Sequence, residues 1–334
     1  VRALGWLLLL GTLALVVVLG VTVGAVPLGP DRVLAALADG LAGRAVDPIV
    51  WQIRLPRVLM AALVGAALGV SGAVYQGLFR NPLADPYLMG AASGAAFGAT
   101  VALTLTGSLS SAYAHSVAER WPASVPLFAF AGAVGAVALA VVLAGGVARR
   151  YNLILAGVVV GSVLIGLTTY LMMLDADRVR AVFSYTLGNL AFSGWPDVQR
   201  LAAYLVVALL PLFFFGRALN ALQLGDAVAH TLGLPLAWIK LGLILGATLA
   251  TAAAVAQVGI VGFVGLIVPH TMRRFAGEDY RALVPASALG GAVLLVLADV
   301  LARMLVRPAE LPVGVVTTLL GGPFFLYLLR RQRA

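Results

Sequence analysis

Apolar stretches long enough to cross a bilayer recur throughout this chain, and that recurrence leaves it few ways to fold. A hydrocarbon core about 30 Å thick is spanned by about 20 apolar residues in a helix. Helix is the expected form, because lipid offers no water to satisfy backbone N–H and C=O groups. Such segments fall at 6–26, 57–77, 87–108, 126–146, 152–173, 199–216, 236–256, 260–274, 283–302 and 313–330. With 62% of residues hydrophobic and 10% charged, a soluble fold would lack the polar side chains to cover its surface. The expectation is an all-α polytopic membrane protein with ten transmembrane helices, residues 1–334 forming a single transmembrane domain.

Two segments need more than length to interpret. The first, Trp6 to Val26, is longer than a signal-peptide core and reads as an uncleaved transmembrane helix. Residues 241–272 contain no Asp, Glu, Lys or Arg and are expected to divide near Gln257–Gly259 into two helices. The second is expected to be short and interrupted by Pro269. Proline is tolerated in a membrane helix where neighbours satisfy the carbonyl that its missing N–H frees.

An even number of crossings puts both termini on one side. With the N-terminus cytoplasmic, the inner loops and ends collect Arg2, Arg80, Arg149, Arg150, Arg217, Lys240, Arg273, Arg274, Arg281 and the arginines of 330–333. This agrees with the positive-inside rule by a small margin in Lys and Arg. The basic residues left outside therefore invite a role of their own. No nucleic-acid partner is expected.

The absences narrow the chemistry. There is no cysteine, which excludes disulfides and cysteine metal sites. No GxxxxGK[ST] phosphate loop and no HExxH occurs, so neither a nucleotide hydrolase nor a metalloprotease is indicated. No catalytic residue and no metal site are expected. His115 and the outer tyrosines do not make a haem-ligand set. Gly and Ala dominate 61–77, 90–98 and 129–146, a composition that lets membrane helices approach closely.

Four connecting segments carry the charged and turn-forming residues. In Trp51–Arg57, Pro56 suits a helix start, and Arg54 and Arg57 are three apart. They read either as interfacial arginines whose heads reach water or, with Arg303, as an outward basic clamp for an acidic partner or anionic cargo. In Asn81–Gly90, Asp85 suits an N-cap with Pro86 at the first helical position. In Leu222–Gly233, Asp226 can cap a short helix that Gly233 ends. Few charges and several small or apolar residues leave that helix open to two readings, a bare interfacial helix or a docking element. In Val261–His270 the glycines permit close packing, and a lone histidine is read as structural. Glu310, before the last span, can balance a nearby arginine.

Taken together and in this order, Trp51–Arg57, Asn81–Gly94, Leu219–Gly233, Gly262–His270 and Glu310–Gly322 resemble the FecCD family of binding-protein-dependent ABC importer permeases. The resemblance covers nearly the whole chain. It implies a type II ABC importer permease, a homodimer bound to two cytoplasmic ATPase subunits and served by a periplasmic or surface-anchored solute-binding protein. ATP and Mg would be bound by the ATPase, and no cofactor by this chain. The bacterial inner membrane is the implied location.

The resemblance also assigns roles. Arg54, Arg57 and Arg303 look like the residues that receive acidic groups of the binding protein. The helix Asp226, Ala227, Val228, Ala229, His230, Thr231, Leu232 looks like the coupling helix that enters a groove on the ATPase. Arg150, Tyr151 and Asn152 occupy the region resembling the cytoplasmic gate, where Tyr151 departs from the small hydroxylated residues of the vitamin B12 permease. Cargo is expected to be an iron chelate with haem leading. The alternatives are vitamin B12, a ferric siderophore or, outside this class, a proton-coupled secondary carrier.

Overall fold

A central helix surrounded by others on most sides organises the molecule, and its glycines explain why. The computed structural model describes residues 2–24, 28–44, 47–107, 124–174, 176–191, 193–307 and 309–331; His115 lies outside them. All regular structure among these residues is helical. In chain order the helices are α1 (Arg2–Thr22), α2 (Pro30–Leu41), α3 (Leu55–Phe79), α4 (Ala91–Gly107), α5 (Ser124–Leu143), α6 (Arg150–Met173), α7 (Ala176–Thr186) and α8 (Trp195–Phe214). They continue with α9 (Gly216–Gln223), α10 (Asp226–Thr231), α11 (Leu236–Val258), α12 (Val264–Ala276), α13 (Tyr280–Met304) and α14 (Val313–Arg331). α3 packs against α13, α11, α12 and α8. A Cβ on Gly291 of α13 would stand 2.0 Å from the Gly65 carbonyl oxygen of α3, so the two backbones touch where only glycine fits.

Among the described residues, seven helical stretches are long and apolar enough to cross a membrane: Leu4–Thr22, Ile49–Phe79, Ser124–Leu143, Arg150–Met173, Trp195–Phe214, Leu236–Val258 and Tyr280–Met304. The expected count of ten is not reached on that measure. The segment expected at 87–108 begins instead with a 3-10 turn, Pro86–Met89, and its α-helix starts at Ala91. α12 has 13 residues, and the apolar part of α14 is Val313–Leu326. The remaining three expected spans are thus short helices. The burial of α3, α11 and α13 contrasts with α1, α5, α6 and α8, most of whose side chains face outward.

The expected division of 241–272 occurs at Gly259–Phe263. Gly259 has φ +81°, and Phe263, at φ +66°, is a non-glycine residue in the left-handed region. Neighbours satisfy the unwound backbone: Asn189 N donates to Val258 O at 2.7 Å, and the Tyr87 hydroxyl bonds both Val261 O and Val261 N. A hydrocarbon layer tolerates a break only where protein supplies such partners. Pro269 does not interrupt α12, contrary to expectation. Its missing N–H frees Gly265 O, and Gln76 Nε2 of α3 donates to that oxygen at 3.3 Å.

Candidate functional site

Two networks of charged side chains sit at the two ends of α3, which lie roughly 37 Å apart by helix rise. At the N-terminal end, a π-helical turn, Ile49–Arg54, runs directly into α3. Arg54 Nη1 donates to Val21 O at 2.9 Å and Thr22 O at 2.8 Å. Arg303 Nη1 donates to Val23 O. These carbonyls lie at the C-terminal end of α1, the negative end of its dipole, where two guanidinium groups cap it. Gly24 makes room, since a Cβ there would stand 2.7 Å from Arg54 Nη2.

Arg57 completes this end. Its Nε and Nη2 donate to Asp299 Oδ1 at 3.0 and 2.8 Å, and its Nη1 to Glu310 Oε2 at 2.7 Å. Asp299 is fully buried on α13. Arg303 Nη2 stands 2.9 Å from Asp299 Oδ2, near enough for charge pairing but outside hydrogen-bond alignment. A buried carboxylate is tolerated when opposite charges and hydrogen bonds compensate for lost water. The three arginines expected as an outward clamp do converge, but they do not project outward. Arg54 and Arg303 are only 6% and 5% exposed, because both are drawn in to cap α1. Arg57 is bonded to a partly exposed carboxylate, Glu310.

At the opposite end stands Asp226, the first residue of α10. It was expected to cap this helix, yet Gly225 takes the cap position and the carboxylate faces cations instead. Lys240 Nζ lies 2.6 Å from Oδ2, Arg80 Nη2 3.3 Å and Arg150 Nη2 4.0 Å from Oδ1. Burial raises the Asp226 pKa, but Lys240, Arg150 and Arg80 outweigh it and hold the carboxyl below its ordinary value. Gly233 ends the helix as expected, with φ +78° and its N–H on His230 O at 2.9 Å. Ala229 is buried, while Val228 and Leu232 are exposed beside exposed Leu224 and Trp238.

The expected gate trio opens α6 next to this cluster. Arg150 reaches Asp226, and Tyr151 is 89% exposed. Two segments singled out separately in the sequence thus meet through one ion pair.

Residues 12–331 match the model of the FecCD transport family. The chain belongs to the FecCD transport family. It is 39% identical over 295 residues to the hemin transport system permease protein HmuU of Yersinia pestis, covering 85% of this chain and 84% of that protein. It is 43% identical over 289 residues to the cobalamin import system permease protein BtuC of Halobacterium salinarum, covering 84% and 73%. A solved ABC transporter described as of metal-chelate type, in an inward-facing conformation, superposes with a TM-score of 0.81 at 29% identity, covering 97% of each chain. The FecCD chain is therefore an ABC transporter permease, a non-catalytic subunit with an all-α, multi-pass fold of the type II importer kind.

Several features of this FecCD permease escape sequence reasoning. Asp299 is one, although an acid inside a membrane helix four residues before Arg303 is a usable signal. Lys240 is another, being read only as a topology charge. Asp85 caps the 3-10 turn as expected, accepting from the Tyr87 N–H at 2.8 Å with Pro86 opening the turn, but its burial, which pushes the carboxyl up to about 6, has no signal in the sequence. Among the described residues no group of His, Asp or Glu is arranged to hold a metal ion. His270 meets Phe324 edge-on, with ring centroids 5.9 Å apart.

Proposed function

We propose that this chain is the membrane-spanning subunit of a type II ABC importer that moves a bulky metal chelate or corrinoid into the bacterial cytoplasm by alternating access. Seven long helices together with the shorter α4, α12 and α14 make ten crossings, with both termini cytoplasmic. Two copies form the pathway, two ATPase subunits bind ATP and Mg, and a solute-binding protein delivers cargo to the Arg57 end. The observation that carries this reading is the α10 surface. Its exposed residues, Ala227, Val228, His230 and Thr231, include no carboxylate, lysine or arginine, and exposed Leu224, Leu232 and Trp238 flank them, on a short helix outside the long apolar spans, as suits insertion into a protein groove.

The arginine end supports the second partner. Glu310 occupies Arg57 through a partly exposed pair, so an acidic side chain of the binding protein would compete with Glu310 for Arg57. Arg54 and Arg303 would hold the site in shape rather than meet the partner. The relatives' names span hemin and cobalamin at similar identity, so haem holds no lead over the other chelates of the class.

The test is uptake of haem, cobalamin and a ferric siderophore, each separately, into proteoliposomes holding permease, ATPase and binding protein. The expected result is accumulation of one of these compounds that requires ATP and all three proteins. Accumulation without the ATPase would return the chain to the proton-coupled carrier alternative.

A further inference from the structure

The helix α10 is poorly anchored by apolar burial. It has six residues, and Ala229 is its one buried side chain. Polar links do the holding. Gln223 Nε2, just before it, donates to Gly77 O in the last turn of α3 at 2.9 Å. Asp226 then reaches three separate elements: Arg80 at the C-terminal cap of α3, Arg150 at the first position of α6, and Lys240 in the first turns of α11.

The three contacts are unequal. Lys240, its side chain 4% exposed, takes Oδ2 at hydrogen-bond distance and acts as a fixed anchor. Both arginines share Oδ1, Arg80 at 3.3 Å and Arg150 at 4.0 Å. Arg80 is held in the left-handed conformation at φ 50°, its backbone fixed by the helix end. Arg80 donates a hydrogen bond to Oδ1, whereas Arg150 at 4.0 Å is held by charge alone and is the weaker of the two partners. One carboxylate among three cations leaves two positive charges unbalanced, so Arg80 and Arg150 repel each other unless Asp226 stays between them.

We infer that Asp226 is a positioning residue that transmits movement of α10 to the gate, by holding or releasing Arg150 at the start of α6 while Lys240 keeps α10 attached to α11. This rests on the importer reading above. A shift of α10 on the ATPase changes the Asp226–Arg150 separation, and the residues carried with Arg150 are Tyr151 and Asn152.

The test is a double-mutant cycle in the complete transporter with its ATPase and binding protein, reading ATP hydrolysed per cargo molecule accumulated. Asp226→Asn and Arg150→Gln are made singly and together. The cycle is run in the native background and with Lys240→Met, which leaves no buried ammonium facing a neutral amide. Each single change is expected to raise the ratio at least about five-fold, the double change no further than either alone. Arg150→Lys is expected to recover most of the loss. Effects that multiply in the double variant would overturn the inference. So would loss of the ATPase from purified Asp226→Asn complex, which would make Asp226 a docking group. Uptake by the unsubstituted transporter that needs no ATPase would instead overturn the importer reading, and it is measured first.

Discussion

Arg57 and Asp299 stand 242 positions apart in sequence and 2.8 Å apart in space, joining the start of α3 to the end of α13. The carboxylate is buried and also faces buried Arg303, so it compensates cationic charge that is largely withdrawn from water. Asp299→Asn should lower stability by about 3 kcal/mol or more, the usual cost of breaking a buried pair from one side. Equilibrium unfolding in mixed detergent–SDS micelles measures this. A change under about 1 kcal/mol would show that the arginines find other partners.

Glu310 sits on the same guanidinium from the accessible side. Glu310→Gln should free Arg57 and tighten binding-protein capture by roughly two- to five-fold, the range of a partly exposed ion pair. Titration of the binding protein onto the reconstituted permease–ATPase complex reads this directly. Unchanged or weaker binding would remove Arg57 from the docking site.

The helix pattern is largely legible in the sequence. Length and apolarity are enough for the seven long spans, and Gly259 with the charge-free run 241–272 marks the break before α12. The short helices α2, α7 and α9 are less legible, because their polar content resembles loop. The charge network is least legible. Arg54 and Arg303 look like surface arginines, since nothing local in their sequence reveals that the carbonyls ending α1 will need them. Asp226 looks like a cap because capping is a local motif, whereas Arg80 and Arg150 come from distant elements.

Asp85 gives a pH dependence of stability with a definite sign. Burial raises its folded pKa from 3.8 to about 6. The folded state therefore holds the proton more tightly, and stability declines as pH rises from about 4 to about 6, by about 3 kcal/mol in total. Asp85→Asn keeps the capping oxygen for the Tyr87 N–H and should flatten that decline. Unfolding curves of both proteins across this window test it. An equal slope in the variant would assign the decline to other groups.

The α3–α13 contact predicts a steric effect. Because a Cβ on Gly291 would stand 2.0 Å from Gly65 O, Gly291→Leu should separate the two helices. The expected loss is about 3 kcal/mol, at the upper end for overpacking, read in the same unfolding assay. Native stability in this variant would mean that the helices tolerate a wider spacing.

The absence of cysteine makes the central claim, a permease with an ATPase at one end and a binding protein at the other, directly measurable. Single-cysteine variants His230→Cys and Ile53→Cys are labelled with a membrane-impermeant maleimide in right-side-out and inside-out vesicles. Position 230 should label only from the cytoplasmic face and be protected by the ATPase. Position 53 should label only from the outer face and be protected by the binding protein. Labelling of both from the same face, or of each from the opposite one, would contradict the two-ended importer.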